Sequence, residues 1–166
     1  MTRFLADLYT QYHDSLVRML HRRTGDRERA EELAQEVFAR AVAAPPRNPR
    51  PWLFAVALNL LREDGRRAAR RGHRLELYRA EQPHAAPGPD EALLREERIG
   101  RVRAALDTLS ERDREALLLS AEGLGYDEIA QTLGMAHGSI GTTLARARRR
   151  LVEAYRAKED TRDAAS

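Results

Sequence analysis

Residues Gly125–Leu151 read GYDEIAQTLGMAHGSIGTTLARARRRL. The stretch has the form of two short helices joined by a tight turn, the second ending in arginines. A helix-turn-helix needs a small residue where its helices touch, a glycine at the turn, and inward apolar residues on both sides. Ala130 supplies the contact, Gly134 the turn, and Ile129, Leu133, Ile140 and Leu144 the interior. Ala147, Leu151 and Tyr155 continue that inner row at helical spacing. Ser139, Thr142, Arg146 and Arg149 then lie on the outward face, flanked by Arg148 and Arg150. The plain alternative is a helical hairpin with a solvated arginine face, whose cations complement the helix dipole. The turn spacing, with four arginines between Arg146 and Arg150, favours contact with DNA.

Working outward, helical periodicity dominates. Phe4, Leu5, Leu8, Tyr9, Tyr12, Leu16, Met19 and Leu20 form one apolar stripe, which Gly25 ends. Asp26 is placed to cap a second helix carrying Ala30, Leu33, Val37, Phe38 and Ala41. PPRNPRP interrupts the chain at Pro45–Pro51, and Pro51 suits the first position of a third helix that buries Trp52, Leu53, Val56, Leu60 and Leu61. Beyond Arg71 the pattern fades into a segment holding Pro83, Pro87, Gly88 and Pro89, which reads as a linker. Asp90 can cap the next helix, with Leu93, Leu94, Ile99, Val102, Leu106 and Leu109 on its stripe. Ser110 and Asp113 resemble a capping box opening a helix over Glu111–Ala121. No strand-like alternation competes. The expected fold is all-α, two small helical domains joined by a flexible linker, the second containing the helix-turn-helix. The boundaries are 1–78, a linker over 79–90, a second domain over 91–157, and an unstructured tail over 158–166.

Composition narrows the function. The chain of 166 residues has 29 basic and 26 acidic residues and no cysteine, and Lys158 is its one lysine. Clustered arginines suit a nucleic-acid partner. Absent cysteines exclude disulfides, thiol nucleophiles and thiolate metal sites. His13, His21, His73, His84 and His137 show no ligand spacing. No metal and no cofactor are expected, and no phosphate-binding loop or hydrolase motif suggests an enzyme. The N-terminus lacks a signal-peptide pattern and no apolar run is long enough to cross a bilayer, so no membrane insertion and a cytoplasmic location are expected.

The third helix adds a second candidate nucleic-acid surface. Asn59, Arg62, Arg66 and Arg70 recur on one side, and Arg47, Asn48 and Arg50 sit in the loop before it. A basic groove beside a loop able to hold an unstacked base is what single-stranded DNA binding requires. Trp52 fits a core role at least as well as a base-stacking one.

RAEELAQEVFARAVA, then PWLFAVALNLLREDGRR, then LSERDREALLLSAEGLGYDEIAQTLG together resemble a bacterial sigma factor of the extracytoplasmic-function group, from about Phe4 to Tyr155. The resemblance implies a transcription initiation factor that binds core RNA polymerase and directs it to promoter DNA. Glu32, Gln35 and Glu36 match the polymerase-binding motif, and helical spacing puts them on one side with Leu33 and Val37 inward. Arg47, Asn48, Arg50, Trp52, Asn59, Arg62, Arg66 and Arg67 would serve the melted minus-ten element. His137, Ser139, Thr142, Thr143, Arg146 and Arg149 would serve the minus-thirty-five element. An anti-sigma factor that masks these surfaces is expected by the same analogy.

The sequence also departs from that pattern. Leu58 stands where relatives often carry arginine before the asparagine, and Glu63 where they carry aspartate. Gly141, Thr142 and Thr143 stand where a lysine and an arginine commonly flank a small polar residue. Two other readings compete: a free-standing helix-turn-helix regulator with a sensor in its first block, and a polymerase-binding adaptor that leaves DNA alone.

Overall fold

A computed structural model describes residues 2–81 and 90–166. Seven helices occupy them: α1 (Thr2–Thr24), α2 (Arg27–Ala43), α3 (Pro49–Glu81), α4 (Asp90–Asp107), α5 (Glu111–Ala121), α6 (Tyr126–Leu133) and α7 (His137–Ala164). No strand occurs among the described residues, in agreement with the all-α expectation.

The helix ends follow from local chemistry. Gly25 adopts φ +70, a left-handed conformation that costs a side-chain-bearing residue energy, and its N–H donates to His21 O to close α1. Asp26 accepts from the Arg29 N–H, as the sequence predicted, and starts α2. Ser110 likewise accepts from the Asp113 N–H. The capping box is only half formed there, because the Asp113 carboxylate turns inward to an arginine instead of back to the cap.

Several sequence boundaries shift. The third helix begins at Pro49, so Pro51 sits inside its first turn, where missing N–H groups are tolerated. It also runs to Glu81, past the boundary read at 78. The linker read over 79–90 falls, from 82 to 89, outside the described residues. The expectation of an unstructured tail over 158–166 is corrected: α7 continues to Ala164. Helical propagation from a well-packed stem adds one hydrogen bond per residue without a new nucleus. An Arg101–Glu159 ion pair at 3.7 Å also ties that stretch to α4.

α1, α2 and α3 pack together, as do α5, α6 and α7, but the buried side chains form one continuous apolar cluster. Leu16, Met19, Leu20, Val37, Leu53 and Phe54 represent the first half in it, and Leu119, Ile129, Ile140 and Leu144 the second. The sequence predicts two small helical domains, and their interiors meet here. Joining them buries more apolar area per residue than two small bundles could bury alone. α3 packs on α6, and α1 on α4.

Candidate nucleic-acid interface

On α2, Glu32, Gln35 and Glu36 are exposed while Leu33 and Val37 are buried, so the amphipathic reading of this helix holds. Arg29 donates to Glu32 at 2.8 Å and to Asp64 on α3 at 2.5 and 2.9 Å, and these carboxylates hold its guanidinium more firmly protonated than usual. Arg40 donates to Glu36 at 3.2 Å. Gln35 is exposed.

The loop ahead of α3 and the first turns of that helix line an open groove of about 360 Å³, with Pro46, Arg47, Asn48, Pro51, Trp52 and Ala55 on its walls. Its size and its one aromatic wall suit a single unstacked base. Trp52 is half-buried: it packs on the core, and it also lines the groove. Arg47 is exposed. Asn48 donates to Gln131 Oε1 of α6 at 3.0 Å, and Arg50 donates to the Glu122 carbonyl at 3.0 Å. Gln131 thereby becomes a further wall of the groove.

Along α3, Arg62 forms a two-pronged pair with Glu115 of α5, Nε at 2.7 Å and Nη2 at 2.6 Å, and its Nη1 donates to Asn59 at 2.8 Å. Glu111 lies 3.1 Å from the same guanidinium. The bond to Glu115 outweighs burial and raises the Arg62 pKa. Asn59, Arg66 and Arg67 are exposed. Leu58 is buried, and so is Phe54, which sequence reading left off the core. The departure at position 58 is therefore a core contact.

In the helix-turn-helix, Gly134 adopts φ +64 and Ala130 is buried at the crossing. Glu128 accepts from the Gly125 N–H at 2.9 Å, fixing the start of α6. On α7, Ser139, Thr142 and Arg149 are exposed as expected. His137 lies 3.1 Å from Asp127. Thr143 is buried, which corrects its assignment to the DNA face: one helical step of 100° beyond Thr142 turns it into the core beside Leu144. Gly141 lies under the Tyr126 ring, 3.5 Å from where a Cβ would stand, so its small size serves the contact between α6 and α7.

Arg146 is only partly free to read bases. It donates to buried Asp113 at 2.7 and 3.3 Å, and Arg150 approaches the same carboxylate at 3.8 Å. These cations, Arg146 first, hold the Asp113 carboxyl below the usual carboxylate range against the opposing effect of burial. Sequence reading missed Asp113, Glu115 and Glu122 as partners, because long-range pairing leaves no periodic signal. Among the described residues, no cluster of histidine and carboxylate side chains could hold a metal ion, and no helix is long and apolar enough to cross a membrane.

Comparison with known proteins matches both halves. The model of Sigma-70 region 2 covers residues 8–71, and that of Sigma-70, region 4 covers residues 99–151. The extracytoplasmic-function (ECF) RNA polymerase sigma factor EcfG of Rhodopseudomonas palustris is 37% identical over 134 residues, spanning 77% of this chain and 72% of the relative. In fold, the chain is similar to CnrH solved in complex with the cytosolic domain of CnrY, with TM-score 0.69, 23% identity, and coverage of 95% and 90% of the two chains. It is also similar to RpoE solved with the anti-sigma factor NepR from Bartonella quintana, with TM-score 0.63, 24% identity, and coverage of 94% and 98%. The region 2 match covers most of the first block, where the free-standing-regulator reading had put a sensor. With both regions matched in order on an all-helical frame, the chain belongs to the extracytoplasmic-function group of the sigma-70 family of RNA polymerase sigma factors.

Proposed function

We propose that this sigma factor divides its work between two units, 1–78 for core polymerase and the minus-ten element, and 91–157 for the minus-thirty-five element. α2 presents Glu32, Gln35 and Glu36 to the polymerase. The groove before α3 takes one flipped base of the melted strand, stacked on Trp52, while Asn59, Arg62, Arg66 and Arg67 follow the adjoining bases and phosphates. Ser139, Thr142 and Arg149 face the upstream duplex from α7, with His137 at the helix start. Opening of the promoter rests on trapping unstacked bases, so the factor works in the cytoplasm without catalysis of its own. An anti-sigma factor is its expected regulator, a reading supported by the partner present in the similar RpoE structure.

The observation that carries this reading is the open groove of about 360 Å³ between the loop prolines and Trp52, next to a row of exposed cations on α3. Run-off transcription with core polymerase on genomic promoter fragments tests it. Discrete transcripts that require the factor are expected. Absence of both transcripts and core binding would remove the proposal.

A further inference from the structure

α7 begins HGSIG, so two of its first five residues are glycine. Glycine inside a helix costs stability relative to alanine, because its freer backbone loses more entropy on ordering. Gly138 and Gly141 both stand in the turns proposed to meet the duplex. A Cβ at 138 would find open space, whereas one at 141 would meet the Tyr126 ring of α6, with Cε2 at 3.5 Å, the hydroxyl oxygen at 3.8 Å and Cζ at 3.9 Å. An alanine would just fit beneath the ring, and a longer side chain would have to lift it. The tyrosine therefore occupies the place that a side chain at 141 would fill.

Burial does not account for this tyrosine, which is 47% exposed. It is the first residue of α6, and Glu128 fixes that helix start by accepting from the Gly125 N–H at 2.9 Å. Its ring also stands against His137, with centroids 6.2 Å apart at 57°, and His137 in turn lies 3.1 Å from Asp127. The ring is thus seated on α7 from beneath and flanked by His137, while nearly half of the residue stays open to solvent.

We propose that Tyr126 is a specificity-determining residue of the upstream interface, its phenol hydroxyl meeting a base edge in the major groove beside Ser139 and Thr142. The inference rests on reading α7 as the helix that faces the minus-thirty-five duplex. A phenol hydroxyl both donates and accepts, so it can meet either kind of polar group on a base edge. Its ring is already seated, so the side chain gives up little freedom on contact. A cation at 141 would attract every phosphate within reach, whatever the sequence. A neutral hydroxyl releases no counterion and favours the sites whose bases pair with it. The reading surface is then composite: α7 supplies Ser139 and Thr142, α6 supplies Tyr126, and Gly141 is the gap that admits it.

The test lets the full chain, bound to core polymerase, select from a pool of random-sequence duplex fragments that is sequenced before and after selection. Wild type, Tyr126→Phe and Arg149→Ala are compared. Tyr126→Phe removes the hydroxyl and keeps the ring on Gly141, so its melting temperature should match wild type. Wild type should enrich one upstream element. Tyr126→Phe should lose about fivefold of the preference at one or two adjacent positions of that element and keep the rest. Titration of the enriched duplex across a salt series should give it the wild-type slope. An unchanged preference would overturn the proposal. Uniform weakening across all sequences would also overturn it, by making the hydroxyl a phosphate ligand. Arg149→Ala tests α7 separately. An effect of Arg149→Ala alone removes only the role of Tyr126, whereas selection unchanged in both variants removes the α7 reading itself.

Discussion

Arg146 on the recognition helix donates two hydrogen bonds, at 2.7 and 3.3 Å, to Asp113, a carboxylate buried at the first turn of α5. The contact ties the helix proposed to enter the groove to the helix behind it. It uses one of the two arginines that sequence reading assigned to the minus-thirty-five element. Arg149, three residues further along α7, is exposed and outside this pair.

Arginine truncations should therefore split by role. Arg149→Ala should leave the melting temperature unchanged and weaken duplex binding by ~1–3 kcal/mol if it touches bases. Arg146→Ala should lower the melting temperature as well, because it leaves a buried carboxylate with Arg150, at 3.8 Å, as its remaining cation. Thermal unfolding beside duplex titrations across a salt series separates the two. A phosphate contact shows as a flatter salt slope.

Acid should reveal the same pair. Asp113 titrates below its ordinary value in the folded chain, so its stabilising contribution is complete above the unfolded carboxylate pKa of about 3.9 and is lost as pH falls through the lower folded value. Melting temperature should hold down to about pH 5 and fall in stronger acid. Asp113→Asn should start lower at neutral pH and lose less on acidification. Equal acid loss in both proteins would remove Asp113 as the cause.

Gly134 turns the chain at φ +64 with open space where a Cβ would stand. Its replacement by alanine meets no clash, only backbone strain, and should cost about 1 kcal/mol of stability in chemical denaturation. A much larger loss would mean that the turn packs more tightly than it does here.

The exposed acidic row on α2 gives a test on the polymerase side. Glu36→Arg should weaken core binding about tenfold or more while the helical signal and melting temperature stay near wild type. Unchanged core affinity would move the contact elsewhere on the first half.

Legibility in the sequence followed the range of the interaction. Caps such as Asp26 and Ser110, the turn at Gly134 and the inward rows of α2 and α7 depend on residues three or four apart, and spacing exposes them. Thr143 was misplaced because adjacent helical positions differ by 100°, which decides between groove and core with no change of residue type. Leu58 and Phe54 widen the buried face of α3 because a second half packs over it, a fact held in no single stripe. Glu115 and Glu122 looked like ordinary surface acids, since their partners lie 53 and 100 residues away.

α7 is a single unbroken helix of 28 residues, roughly 42 Å from end to end, with the side chains proposed to face the duplex on its first turns. Its far turns meet α4 through the Arg101–Glu159 pair and around Val102, which lines one groove with Leu151 and Tyr155. Ile140, Leu144 and Ala147 seat the first half of this rod in the core, so Ser139 and Thr142 are held at a fixed tilt against α5 and α6.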